Sequence, residues 1–327
     1  MKDVALVLSS GGPRGFAYIG AIEELEARGY KITSIAGTSI GSLIGGMYAA
    51  GKLPEVKDFL FSLNGWKVFS LMDISISRNH LVKGDKVIEA LQEIVPDIDI
   101  KDLSVPFKAI ATDLFTGEEV IFDKGDLFQA IRSSISIPSL FRPVKIGMRT
   151  LIDGGIANTM PLNRVERSGH DILVAFNVND VDVDAIRQML VDEAEAADAR
   201  EKAGMVRRAE NKAVIDSVIH NENLSLREKL KLACMQGHKL IQERLAPKDD
   251  KPQKTLDPDA NYFTILSRTF DLMNHWNTKL MTSLCPPDIL VNMPFDAFGA
   301  ISDYARAEEI CELGRELMKD ALDRYEK

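Results

Sequence analysis

Two short apolar runs near the N-terminus, Val4–Leu8 and Ile32–Ala36, each lead into a glycine-rich turn and then a helix-forming segment. A strand that returns through a helix to a second strand of the same direction requires a parallel sheet covered by helices. The first helix is predicted over Phe16–Arg28, where Tyr18, Ile19, Ile22 and Leu25 recur at helical spacing opposite Glu23, Glu24 and Glu26, with Gly29 as C-cap. The second runs from Ile40 to Ala50 and stops at Gly51. Further on, Phe107–Thr112 and Glu118–Phe122 flank a turn as a hairpin, and Leu127–Ser134 reads as a helix that ends before Pro138. A strand pair brackets Gly147-Met148-Arg149 and ends at Ile152-Asp153, and Asp171–Val178 is a further buried strand.

The alternation breaks after that strand. From Asp182 to Leu245 charged helix formers dominate, with a capping-box pattern at Ser225-Leu226-Arg227-Glu228, and Ala246–Asn261 carries three prolines among Lys and Asp. Strand and helix patterns then resume at Ile289-Leu290-Val291 and Tyr304–Tyr325, after a helix from Tyr262 to Ser283. The organisation read from the chain is a core over 1–181, a helical insertion with a Pro-rich charged loop over 182–261, and a segment 262–327 that completes the core. The insertion is expected to act as a peripheral lid.

Composition narrows the function classes. Among 327 residues, 40 Lys+Arg against 49 Asp+Glu give a net charge of −9, and the bases are scattered among acids, which argues against a general nucleic-acid binder. The three cysteines, Cys234, Cys285 and Cys311, have no ligand-type spacing, which argues against a structural zinc and suits a reducing compartment. No basic segment followed by an apolar one opens the chain, and the longest weakly charged stretch, Thr33–Gly51, is broken by glycines and leaves an apolar part after Ser39 of only about a dozen residues against the roughly 20 of a membrane span. A cytoplasmic protein is expected, peripheral at most to the inner face of the membrane.

Three short segments can carry chemistry. Gly37-Thr38-Ser39-Ile40-Gly41 is a G-x-S-x-G at a strand-to-helix junction, where a sharp turn lifts the Ser39 hydroxyl out of the sheet and the Ile40 N–H lies at a helix N-terminus. Ser10-Gly11-Gly12-Pro13-Arg14-Gly15 nearly matches a dinucleotide fingerprint, but the second strand ends without the acid that would meet a ribose. The other use of that loop is an oxyanion hole formed by the N–H groups of Gly11 and Gly12, with Arg14 adding positive charge. Asp153-Gly154-Gly155 closes a strand and reads either as a turn or as a carboxylate at the sheet edge. Of the five histidines, His170, His220 and His238 sit where surface or capping roles are expected, and the chain order does not fit an ordinary α/β-hydrolase, since only two strands and one helix precede Ser39.

The Gly11–Gly15 loop, the Gly37–Gly41 elbow and Asp153-Gly154-Gly155 occur in the order and setting of the patatin-like phospholipases, and the chain resembles that family. Ala111-Thr112-Asp113, Ser136–Val144 and Pro287-Asp288-Ile289-Leu290 are similar too, whereas the family has glycine where this chain has Ser10. The resemblance implies a three-layer α/β/α sandwich with a mostly parallel central sheet and a helical insertion. It implies a Ser39 nucleophile with Asp153 as its base, an oxyanion hole from Gly11, Gly12, Arg14 and Ile40, and supporting glycines at Gly15, Gly37, Gly41, Gly154 and Gly155. Arg14 then orients the loop or meets phosphate. The implied partner is an acyl-lipid ester with peripheral membrane association, no nucleic acid, no cofactor and no metal. Lipid binding without turnover on the same fold is the alternative. The apolar stretches Val56–Leu63 and Trp66–Met72 line an acyl groove or, as the better-supported reading, belong to the core.

Overall fold

The computed structural model describes residues 2–63, 80–82, 84–219, 225, 262–295, 297–299 and 303–327. Its N-terminal third holds β1 (Lys2–Leu8), α1 (Ala17–Ala27), β2 (Tyr30–Thr38), α2 (Ile40–Ala49), α3 (Leu53–Phe61), β3 (His80–Val82) and α4 (Asp85–Gln92). Then come β4 (Phe107–Asp113), β5 (Glu119–Phe122), α5 (Leu127–Ser134), β6 (Ser139–Phe141), β7 (Val144–Ile146), β8 (Arg149–Asp153) and β9 (Ile172–Asp180). After α6 (Val183–Ile219), the chain closes with α7 (Tyr262–Leu284), β10 (Ile289–Pro294) and α8 (Ala307–Tyr325).

The main sheet runs β10-β9-β1-β2-β4-β8-β7, with β5 paired to β4. Neighbours from β10 to β4 are parallel, while β8, β7 and β5 join antiparallel, and β3 and β6 form a separate parallel pair. The uninterrupted apolar run of β1 is explained by burial on both faces, as parallel strands require. Val4, Leu6 and Leu8 belong to one core cluster, with Ile22 of α1, Ile44 of α2 and Ile310 of α8. Ala5 and Val7 belong to the other, with Leu173, Ala175 and Met160, against which Met281 of α7 packs. Helices on one face, sheet, and α7 with the loop around Met160 on the other make a mixed α/β sandwich of three layers. Val56, Leu60 and Leu63 lie in the larger cluster, so that stretch is core.

The local differences from the sequence reading have physical causes. The helix expected from Phe16 is preceded by a 3-10 turn over Gly12–Phe16, because Pro13 fits a first helical turn where its missing N–H costs nothing. Strand β2 extends through Gly37 and Thr38, since Leu8 of β1 pairs with Gly37 on one side and Ala109 and Ile110 of β4 pair with Gly37 and Thr38 on the other. The chain divides into two compact units, Met1–Val181 with Asn261–Lys327, and Asp182–Ala260. In the second, α6 leaves Leu190, Val191, Met205 and Val206 exposed and carries ion pairs such as Asp198–Lys202. The helix expected to follow Ser225, the loop Ala246–Asn261, the stretch Trp66–Met72, His220, His238 and Cys234 lie outside the described residues.

Candidate active site

Ser39 forms the turn between β2 and α2 with φ 54° and ψ −121°, backbone that side-chain-bearing residues rarely adopt. Its flanking glycines make this possible by close approach. A methyl group on Gly37 would lie 2.3 Å from the Gly41 carbonyl oxygen, and one on Gly41 would lie 2.3 Å from the carbonyl oxygen of Leu8. The strained turn is pinned by its hydrogen bonds. The Ser39 N–H donates to Ser134 Oγ at 2.8 Å, and that hydroxyl donates to the Ile110 carbonyl at 2.5 Å. The Ser39 carbonyl accepts from Ser42 Oγ at 2.6 Å.

Strand register brings Asp153 to this turn. Thr38 pairs with Ile110 across β2 and β4, and Ala111, the next residue of β4, pairs with Asp153 at the end of β8. Ser39 Oγ donates to Asp153 Oδ2 at 2.5 Å, and both side chains are buried. The other carboxylate oxygen, Oδ1, accepts from the Gly155 N–H at 2.7 Å, which fixes the plane of the carboxyl group. Gly154 sits against β4, where a methyl group would be 2.2 Å from the Ile110 carbonyl oxygen. Burial pushes the Asp153 carboxyl up from the ordinary 3.8 to about 6, against the opposing pull of the hydrogen bonds from Ser39 and Gly155. A carboxylate so raised is a better proton acceptor than one in water and is still largely ionised at neutral pH.

The loop after β1 meets the same turn, because Leu8 pairs with Gly37 and Gly15 abuts the Ile40 side chain. The N–H groups of Gly11, Gly12 and Ile40 have no acceptor among the described residues, which leaves three backbone donors around the carboxyl ends of β1 and β2. Arg14 is buried and lies on the wall of the cavity that opens at Asp153. Its Nε donates to the Gly11 carbonyl at 3.1 Å, Nη1 to the Phe295 carbonyl at 2.6 Å, and Nη2 to Asp271 Oδ1 at 2.8 Å and Asn179 Oδ1 at 3.3 Å. Of the two roles open to Arg14 in the sequence, this arrangement is that of a loop brace. Asn179 Nδ2 adds a bond to the Ser10 carbonyl at 2.6 Å. Ser10, the departure from the family pattern, donates its N–H to the Thr159 carbonyl at 2.9 Å, a bond any residue can make.

A cavity of about 100 Å³ opens at Asp153, bounded by Ser10, Gly11 and Gly12 on one side and by Leu266 and Phe270 of α7 on another. A larger one of about 950 Å³ shares Pro138 and Ser139 with it but is lined by neither Ser39 nor Asp153, whereas the smaller is lined by Asp153 though not by Ser39 itself. Ser139 has φ 68°, a second strained residue, on the wall common to both. His275 Nδ1 lies 3.2 Å from the Asn179 carbonyl, His170 is exposed, and no histidine meets Ser39 among the described residues. Among those residues no group of three His, Cys, Asp or Glu is arranged to hold a metal ion, and no helix is long and apolar enough to cross a membrane. Sequence reasoning missed Ser134, Asn179 and Asp271. Only Asp271 had a visible signal, as the one acid in the 23 residues of α7.

A family model described as patatin-like phospholipase matches residues 6–165. An uncharacterized NTE family protein of Mycobacterium bovis is 30% identical over 99% of this chain and 92% of its own length, and one of Mycobacterium tuberculosis matches equally. The lysophospholipase NTE1 of Debaryomyces hansenii is 28% identical over 55% of this chain, a match spanning 12% of that protein. VipD from Legionella pneumophila aligns with 98% of this chain and 67% of its own at a TM-score of 0.40 and 14% identity, too distant to bear on the site.

Proposed function

Because this chain belongs to the patatin-like phospholipase family, with NTE family proteins as its near full-length relatives, we propose that it is a lipid acyl hydrolase in which Ser39 and Asp153 form the catalytic pair. The observation that carries the reading is the 2.5 Å hydrogen bond from Ser39 Oγ to Asp153 Oδ2 at a strained strand-to-helix turn.

In this reading Ser39 Oγ attacks the carbonyl carbon of an acyl ester while Asp153 takes its proton. The oxyanion that forms is met by the N–H groups of Gly11, Gly12 and Ile40, of which one such donor is typically worth roughly 3 kcal/mol. These donors are backbone groups on a braced loop and a helix start, so they need little reorganisation as charge develops. Collapse expels the lipid alcohol, which takes the proton held by Asp153, and leaves Ser39 acylated. Asp153 then deprotonates a water that attacks the acyl-enzyme, the proton returns to Ser39, and the fatty acid departs. Gly155 keeps one carboxylate oxygen occupied throughout, so the other is the one that handles protons. Arg14 acts as a positioning residue for the Gly11–Gly12 loop.

The test is hydrolysis of p-nitrophenyl esters of increasing acyl length by wild type, Ser39→Ala and Asp153→Asn, each checked for intact folding. Turnover by wild type that falls near background in both variants supports the reading. A wild type inert on every ester, or an Asp153→Asn enzyme of full activity, defeats it and favours lipid binding without turnover.

A further inference from the structure

Helix α7 has two unlike faces. On the inner one Asp271, Asn274 and Thr278 are buried, and Leu266 and Phe270 border the cavity at Asp153. On the outer one Leu272, Trp276, Leu280 and Leu284 follow at four-residue intervals and are 40%, 63%, 61% and 66% exposed, with Ile265 a turn or two before them at 58%. A helix in a folded protein normally turns its apolar stripe to the core, and a stripe this long left uncovered by the described residues marks a docking surface.

The charges say which surface it suits. The only acid of α7 is Asp271, which is buried and paired with Arg14, so the exposed face carries no negative charge in a chain whose net charge is −9. Its polar members are Thr269, Ser283 and Lys279, whose Nζ lies 5.0 Å from the Trp276 ring. Arg268, on the flank of the face, stacks over Phe295 at 3.9 Å. Apolar anchors, a tryptophan beside a lysine and the absence of acid form the composition of a helix that lies in a bilayer interface bearing anionic headgroups. The net negative charge of the chain would repel such a bilayer, which makes an acid-free apolar face its natural point of approach.

We propose that this outer face of α7 docks the protein on a lipid surface with anionic headgroups, an inference that rests on the lipid acyl hydrolase reading for its purpose. Because the inner face of the same helix borders the cavity at Asp153, docking brings lipid esters to the edge of the site on one rigid element.

The experiment uses the full chain with Trp66→Phe, which leaves Trp276 as its one tryptophan, and phosphatidylcholine vesicles with and without phosphatidylglycerol. Trp276 emission should shift to the blue, and the protein should co-sediment, more strongly with the anionic vesicles. In Leu272→Ser/Trp276→Ser/Leu280→Ser, vesicle affinity should fall about a hundredfold, the effect of removing three large apolar side chains that are partly embedded. Hydrolysis of a soluble short-chain ester by the triple variant should match the wild type, which also shows that it is folded. Unchanged vesicle binding by the triple variant, or no Trp276 shift, overturns the proposal. So does light scattering that shows a dimer dissociated by the triple substitution with no vesicle binding by either protein, since the face then joins two copies. A wild type that binds vesicles through Trp276 but cleaves no ester defeats the hydrolase reading alone, and one that cleaves soluble esters but binds no vesicle defeats the docking proposal alone.

Discussion

Replacing Asp153 by Asn should stabilise the protein at alkaline pH and do so progressively less as the pH falls. The folded state holds this carboxyl at about 6 against an ordinary 3.8, because burial penalises its charge. Between those values the folded protein binds more protons than the unfolded chain, so the contribution of Asp153 to stability falls as pH rises through that window and is fully unfavourable above it. At 1.36 kcal/mol for each pH unit, the difference between 3.8 and about 6 amounts to about 3 kcal/mol. Asparagine has the same shape, can accept from the Gly155 N–H and can donate to Ser39 Oγ, so it keeps the contacts and removes the charge. Urea denaturation of wild type and Asp153→Asn should therefore show the variant more stable by about 3 kcal/mol near pH 8, narrowing to less than about 1 kcal/mol near pH 4. All other titrating groups are common to both proteins and cancel in the comparison. A variant that is less stable than wild type near pH 8, or a difference that does not change with pH, would refute the reasoning.

Four further outcomes follow from the site. The kcat/KM for a soluble ester should rise with pH to a plateau with a midpoint at about 6, because only ionised Asp153 accepts the Ser39 proton, and a flat profile across that range would exclude it as the base. Gly11→Ala should lower kcat about a hundredfold, since its methyl would meet Val178 Cγ2 at 2.2 Å and displace an oxyanion donor, and Val178→Ala in the same chain should recover part of the loss in a steady-state assay. Arg14→Ala should cost about 3–5 kcal/mol in denaturation by leaving Asp271 buried and unpaired. Asp271→Asn should cost less, because Arg14 keeps its carbonyl acceptors at Gly11 and Phe295.

What the sequence revealed is mostly what short-range chemistry determines. The two-faced burial of β1 was legible in its unbroken apolar run, α5 in its periodicity and its stop before Pro138, and the Ser39 elbow in glycines that a tight approach demands. Helices α3 and α4 were not legible in the sequence although neither is shorter than α5, and the three-residue strands β3 and β6 exist only through their pairing with one another. The meeting of Ser39 with Asp153, 114 positions apart, depends on the register of β2, β4 and β8 and was reached through family resemblance. Ser134 gave no local sign, since a serine closing a helix is ordinary and its value comes from the backbone N–H it meets across the fold. The periodicity of α7 was visible, but which face the sheet would cover was not.

The nucleophile is identified most directly by the site of covalent capture by a fluorophosphonate, which bonds to activated serine hydroxyls. One adduct per wild-type chain is expected, mapped by mass spectrometry to Ser39, absent in Ser39→Ala and slowed strongly in Asp153→Asn. Adduct formation at another serine, or labelling of Ser39 at an undiminished rate in folded Asp153→Asn, would contradict Ser39 and Asp153 as the catalytic pair.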